Sequence, residues 1–194
     1  MFLALVHHPV LDRHGKVGTT ALTNVDLHDI ARSARTFGVA RVFVVTPIRL
    51  QQRMVDEIVG HWVHGDGARH HPRRAQAMER VQWATSLQDV KAAIADERGC
   101  APLVAVTSAA MQHADLGFED LRRRLAGEDG GLDRPVLLLF GTGWGLAPEV
   151  LADADWKLPA IERAPALQGD EGAWNHLSVR AAAAIALDRL LGRR

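Results

Sequence analysis

A chain of 194 residues fits one domain, or one domain carrying a modest insertion. With 47% apolar residues, 24% charged residues and 23 basic side chains balancing 23 acidic ones, it is excluded as a bulk electrostatic binder of nucleic acid, although a local basic patch, or one assembled across two subunits, is not. The single cysteine, Cys100, forms no internal disulfide, Met1–Val6 is too short and uncharged for a signal peptide, and no run of 18 apolar residues exists, so the cytoplasm is the expected location.

Short apolar runs alternate with helical patterns, which predicts an α/β fold: a mostly parallel sheet flanked by helices, in a single domain over 1–194. Phe2–His7 reads as a first strand and Pro9–Asn24, polar with Gly15 and Gly18, as a long loop. A helix follows over Asp26–Phe37, closed by Gly38. Arg41–Thr46 is a strand stopped by Pro47, and Leu50–Val63 repeats its apolar residues at helical spacing. Glycines and Pro72 make His64–Arg74 a loop. Val81–Ala84 is a strand, and Ser86 with Asp89 caps a helix running to Arg98. Leu103–Thr107 is a strand, Phe118–Leu125 a helix and Gly127–Gly131 a flexible acidic connection. Pro135–Phe140, strongly apolar, reads as a central strand. Trp156–Leu158 is a short strand, and Asn175–Leu191 a closing helix whose small residues Ala181–Ala184 permit close packing.

The stretch most charged with chemical meaning is Phe140-Gly141-Thr142-Gly143-Trp144-Gly145-Leu146, beyond the most apolar strand. Glycines at every second position let the backbone turn sharply and approach a ligand without Cβ obstruction, at the carboxyl end of a sheet where ligands bind. No Gly-Lys-Ser/Thr follows, so it is no phosphate loop, and the spacing is not the dinucleotide fingerprint. A ligand site and a tight strand-to-helix turn before Pro148 both fit. Asn175-His176-Leu177-Ser178-Val179-Arg180 opens the last helix, where Asn or Ser serves as a cap. Arg32 and Arg35 share one helix face. His61, His64, His70 and His71 invite a metal reading, but the one cysteine is far along the chain, so a solvated His/Arg loop, with no metal, is the expectation. Arg69, Arg73 and Arg74 there read as a solvated loop or an RNA contact.

Phe140–Leu146, followed some thirty residues later by Asn175–Ile185, resembles the paired carboxyl-terminal motifs of the SPOUT RNA methyltransferases. The helix Asp26–Ala34, running into Phe37-Gly38-Val39, resembles their amino-terminal motif. The resemblance runs over nearly the whole chain. It implies a SPOUT-like fold with a carboxyl-terminal trefoil knot, a homodimer, S-adenosylmethionine (SAM) as cofactor, and RNA, either tRNA or rRNA, as substrate. Carried over by position, the cofactor would sit against Thr107 and Ser108 at a strand end, Phe140, Gly141, Thr142, Gly143 and Gly145 in the glycine turn, Leu158 to Ile161, and His176, Leu177 and Ser178. Its methyl group would face a cleft shared with the other subunit.

Arg32 stands where the family has an arginine that serves the reaction, and its guanidinium suits a phosphate. His28 or Asp29 on the same helix would accept the proton, and Arg35 and Arg180 would contact the RNA. The branch that methylates ribose has Asn at the place of Asp26, Glu at Gly143 and Asn at His176; none stands here, which leaves base and ribose both open. Those changes motivate one alternative, a non-catalytic SAM- or RNA-binding protein of this fold. An unrelated α/β nucleotide-binding enzyme is the other, stabilised by NAD or ATP instead of SAM.

Overall fold

The structure, a computed structural model, describes residues 1–164, 167 and 174–193. In chain order its elements are β1 (Phe2–Val6), β2 (Val10–Leu11), β3 (Val17–Gly18), α1 (Asn24–Thr36), β4 (Val42–Val45), α2 (Arg49–Val63), α3 (Asp66–His70), α4 (Pro72–Met78) and β5 (Val81–Ala84). Then come α5 (Leu87–Arg98), β6 (Leu103–Thr107), α6 (Phe118–Leu125), a 3-10 turn at Glu128–Gly130, β7 (Val136–Gly141), α7 (Pro148–Ala152), β8 (Trp156–Lys157) and α8 (Val179–Leu191).

Six strands form one sheet in the order β5-β4-β1-β7-β6-β8, with every pairing parallel. A parallel sheet is covered on both faces, so its strands must be apolar at every position and not at alternate ones. β1 and β4 are buried throughout, and β7 from Val136 to Phe140. Successive side chains in these strands feed two cores. Leu3, Leu5, Val42, Val44, Leu138 and Phe140 pack with α1, α2, α4, α6 and α8, while Phe2, Ala4, Phe43, Val45, Leu137 and Leu139 pack with α5 and α7. β7, between β1 and β6, is central as its composition predicts.

The sequence reading contains no counterpart of α7, and the Gly127–Gly131 connection holds a 3-10 turn; three further segments also differ. Pro9–Asn24 is not all loop: β2 and β3 pair antiparallel as a hairpin, in strands two residues long that are too short to show alternation. His64–Arg74 contains α3 and the start of α4, because Pro72 occupies the first turn of a helix, where its missing N–H costs nothing. The last helix begins at Val179, four residues after Asn175. Ser178 caps it by accepting from the Ala181 amide, and Asn175–Ser178 is non-helical. Elsewhere the predicted elements stand within a residue or two of their expected bounds, including the capping box of Ser86 and Asp89.

Candidate active site

Register fixes the floor of the site. Val6 pairs with Gly141, Thr107 with Phe140 and Val106 with Lys157, so β1, β7, β6 and β8 end at one level. The residues just past β1, β7 and β6, namely His7, Thr142 and Ser108, and Pro159 two past β8 therefore lie along one edge of the sheet, and all four line one cavity of about 650 Å³. That volume suits a small-molecule ligand.

Of the residues expected at a cofactor, Thr107 and Ser108 line the cavity from β6 and Phe140, Gly141, Thr142, Gly143 and Gly145 from the glycine turn. Ile161 lines it beyond β8, and His176, Leu177 and Ser178 line it ahead of α8. Leu158 does not reach it: wholly buried, it belongs to the core, and its amide donates to Val106 O at 3.0 Å, which leaves its neighbour Pro159 at the surface of the cavity. Asp26, Trp144 and Asn175, which lie in the quoted motifs without an assigned cofactor contact, also line it, as do His7 and Thr20, which the sequence reading does not single out. Position one residue past a buried parallel strand was the signal available for His7.

The glycine turn is clamped by the amino-terminal hairpin. Leu11 N donates to Gly145 O at 2.9 Å, Trp144 N to Leu11 O at 3.1 Å and Ala147 N to Pro9 O at 3.2 Å, while Val10 bridges Leu146. The clamp accounts for the residue at position 143. Gly143 has φ +60°, and a Cβ there would stand 2.9 Å from Thr20 Cγ2 and 3.1 Å from Leu11 O. Any side chain there, a glutamate as in the ribose-directed branch included, crowds these two atoms from its first carbon and strains the backbone. Gly141 is similarly constrained, since its Cβ would meet Leu146 N at 2.7 Å.

Side-chain bonds tie this edge together. Thr142 Oγ1 donates to Val6 O at 2.9 Å and Thr107 Oγ1 to Leu139 O at 3.1 Å. Thr20 Oγ1 contacts both Thr142 Oγ1 and His7 Nδ1. Asn175 Nδ2 donates to Ala109 O at 3.3 Å, joining the segment before α8 to the loop after β6. His7 is buried, and that burial pushes its pKa down to about 4 against a smaller opposing pull from Asp26.

α1 distributes its candidate residues to different places. Asp29 faces α8, where Arg180 Nε lies 3.5 Å from its Oδ2 and Arg180 Nη1 lies 3.1 Å from Asp26 Oδ1. Arg32 and Arg35 are exposed on the outer face, Arg35 beside a separate cleft with Arg41 and Glu97. His28 lies on the side of α1 toward α2, edge-on to Trp62 with ring centroids 5.4 Å apart, and does not line the cavity. Burial, with Arg74 nearby, lowers its pKa. His61 and His71 also pack on Trp62, with Arg74 4.6 Å above its ring. Among the described residues no group of three His, Cys, Asp or Glu is gathered as a metal site needs, and no helix is long and apolar enough to cross a membrane.

The family of SAM-dependent RNA methyltransferases matches residues 1–192. The chain belongs to that family. A tRNA (guanine-N(1)-)-methyltransferase of Oleidesulfovibrio alaskensis is 41% identical over 192 residues, covering 99% of this chain, but the chain spans only 42% of that relative's length. An uncharacterized protein of Aquifex aeolicus is 36% identical over 193 residues, covering all of this chain and 89% of its own length. In fold, the SpoU methyltransferase AviRb of Streptomyces viridochromogenes, solved with the cofactor AdoMet, aligns with a TM-score of 0.54 at 15% identity, over 98% of this chain and 56% of its own. SAM is thus the family's cofactor, and the fold is that of the SpoU methyltransferase structure.

Proposed function

We propose that this chain transfers the methyl group of SAM to RNA, with the adenosyl part of SAM held in the cavity between the glycine turn and Asn175–Ser178. The observation carrying this reading is that both segments, well apart in sequence, wall one space together with Thr107, Ser108 and Ile161. When bound, SAM supplies an activated methyl, so the protein's work is alignment and the handling of one proton. The glycine turn offers backbone polar groups to the cofactor. The exposed Arg32 offers a guanidinium to phosphate, and Arg35 a second one along the same helix. Asp29 as proton acceptor and Arg180 as phosphate ligand both require their mutual ion pair to open when RNA arrives.

The chain acts as one domain and as a cytoplasmic homodimer, the exposed Arg32 of one subunit serving the cavity of its partner. A carboxyl-terminal trefoil knot is part of this reading, as the resemblance implies. A tRNA is the first substrate to try, with rRNA next. Guanine N1 is not carried over as the target atom: the relative bearing that name has more than half its length outside the shared part, whereas the Aquifex relative is nearly all shared part.

The test is incubation with tritiated SAM and total bacterial RNA, beside thermal melts with SAM, its demethylated product, NAD and ATP. Label in RNA and stabilisation by SAM and its product are expected. SAM binding without label in any RNA points to the non-catalytic reading, and stabilisation by NAD or ATP alone removes SAM from the site.

A further inference from the structure

We propose that Nε2 of His7 accepts a hydrogen bond from an N–H or O–H of the nucleotide to be methylated. This rests on the methyl-transfer reading above and adds a substrate contact to it. The hydrogens of three side chains carry the inference. The Val6 carbonyl only accepts, so Thr142 Oγ1, 2.9 Å away, commits its one hydrogen there. The hydrogen between the touching Thr20 and Thr142 hydroxyls must then come from Thr20. Thr20 has none left for His7, whose Nδ1 lies 3.0 Å from its oxygen, so Nδ1 carries a hydrogen and donates it. A neutral imidazole protonated at Nδ1 has a bare lone pair at Nε2.

Nε2 is buried without a hydrogen-bond partner among the described residues, in a side chain that is 1% exposed and lines the cavity. An acceptor left in that state costs stability and calls for a ligand. Asp26, the carboxylate in the same cavity, is already engaged at both oxygens, by Arg180 at Oδ1 and Thr23 at Oδ2. The ring stays neutral at physiological pH, and a pKa of about 4 makes it a weak base but an adequate acceptor. Position decides between cofactor and RNA. The expected adenosyl contacts come from the ends of β7, β6 and β8 and from the segment before α8, whereas His7 follows β1, on the opposite side of β7 from β6 and β8, in the same cavity as Asp26 of the helix that bears Arg32.

The test begins with the RNA fraction that takes up tritiated methyl. Wild-type protein labelled with 15N-histidine is titrated with S-adenosylhomocysteine and then with that RNA. Nε2 of His7 should be unprotonated, hold its resonance with S-adenosylhomocysteine and shift with RNA. A protonated Nε2, or one that shifts with S-adenosylhomocysteine and ignores RNA, overturns the proposal. His7→Phe should bind SAM within about twofold of wild type and lose roughly tenfold in kcat/KM for RNA, the loss of one hydrogen bond. His7→Asn, which restores an acceptor oxygen, should recover part of it. A His7→Phe protein as active as wild type overturns this contact alone; a wild type that labels no RNA overturns the methyl-transfer reading and this contact with it.

Discussion

A histidine buried beside a carboxylate resists protonation when the cost of burial exceeds the attraction, and His7 is such a case. Its pKa is 6.5 in the unfolded chain and about 4 when folded, so between those values the unfolded state binds the proton and the folded state does not. Stability is therefore complete above pH 6.5 and falls as the pH drops toward 4, by about 3 kcal/mol in all. His28 adds a loss of the same sign. Urea unfolding from pH 4 to 7 should show the slope, and His7→Phe should flatten it; an equal slope in that variant assigns the effect elsewhere. At position 143 the backbone is the constraint. Gly143→Ala should lower stability by about 1–3 kcal/mol, because φ +60° disfavours a side chain and the hairpin blocks its Cβ. The glycines were legible as a turn. The reason for glycine at 143 in particular was not, because Leu11 and Thr20, which fill the space, are more than a hundred residues away in sequence.

Helices α1 and α8 face each other through Arg180, Asp26 and Asp29. Arg180→Ala leaves the buried Asp26 without its cation and should cost roughly 1.5–3 kcal/mol, read from thermal melts. Arg32, exposed on the outer face of α1, should behave oppositely. Arg32→Ala should change stability by no more than about 0.5 kcal/mol while methyl transfer to RNA falls at least tenfold; unchanged turnover would end its assignment. Ser178→Ala removes a cap at the cavity wall and should cost about 1 kcal/mol. What could be read of these elements depended on periodicity. α1 and α2 showed it over three or more turns, whereas β2 and β3 are two residues each and α3 is five. The start of α8 was misplaced because Asn175 is as good a cap by type as Ser178, and only the fold makes Asn175 bond Ala109 instead.

Across the whole molecule, the parallel sheet was legible because burial on both faces writes unbroken apolar runs into β1, β4 and β7. The strand order was not, since nothing local says that β7 inserts between β1 and β6. SAM at a hundredfold excess over its Kd should stabilise the protein by about 2.7 kcal/mol, a shift visible in melts. Light scattering on the eluted protein should give twice 21.2 kDa; a peak at 21.2 kDa alone removes the homodimer. The clamp of Leu11 on Trp144 and Gly145 also bears on how the protein comes to be made. During synthesis the hairpin leaves the ribosome early and waits for residues 141–147, so this loop closure is among the most distant in the chain and slow by nature. A truncated product lacking the last third keeps His7, Thr20, Thr107 and Ser108 but loses both the glycine turn and the segment before α8, so the cavity has walls on one side only.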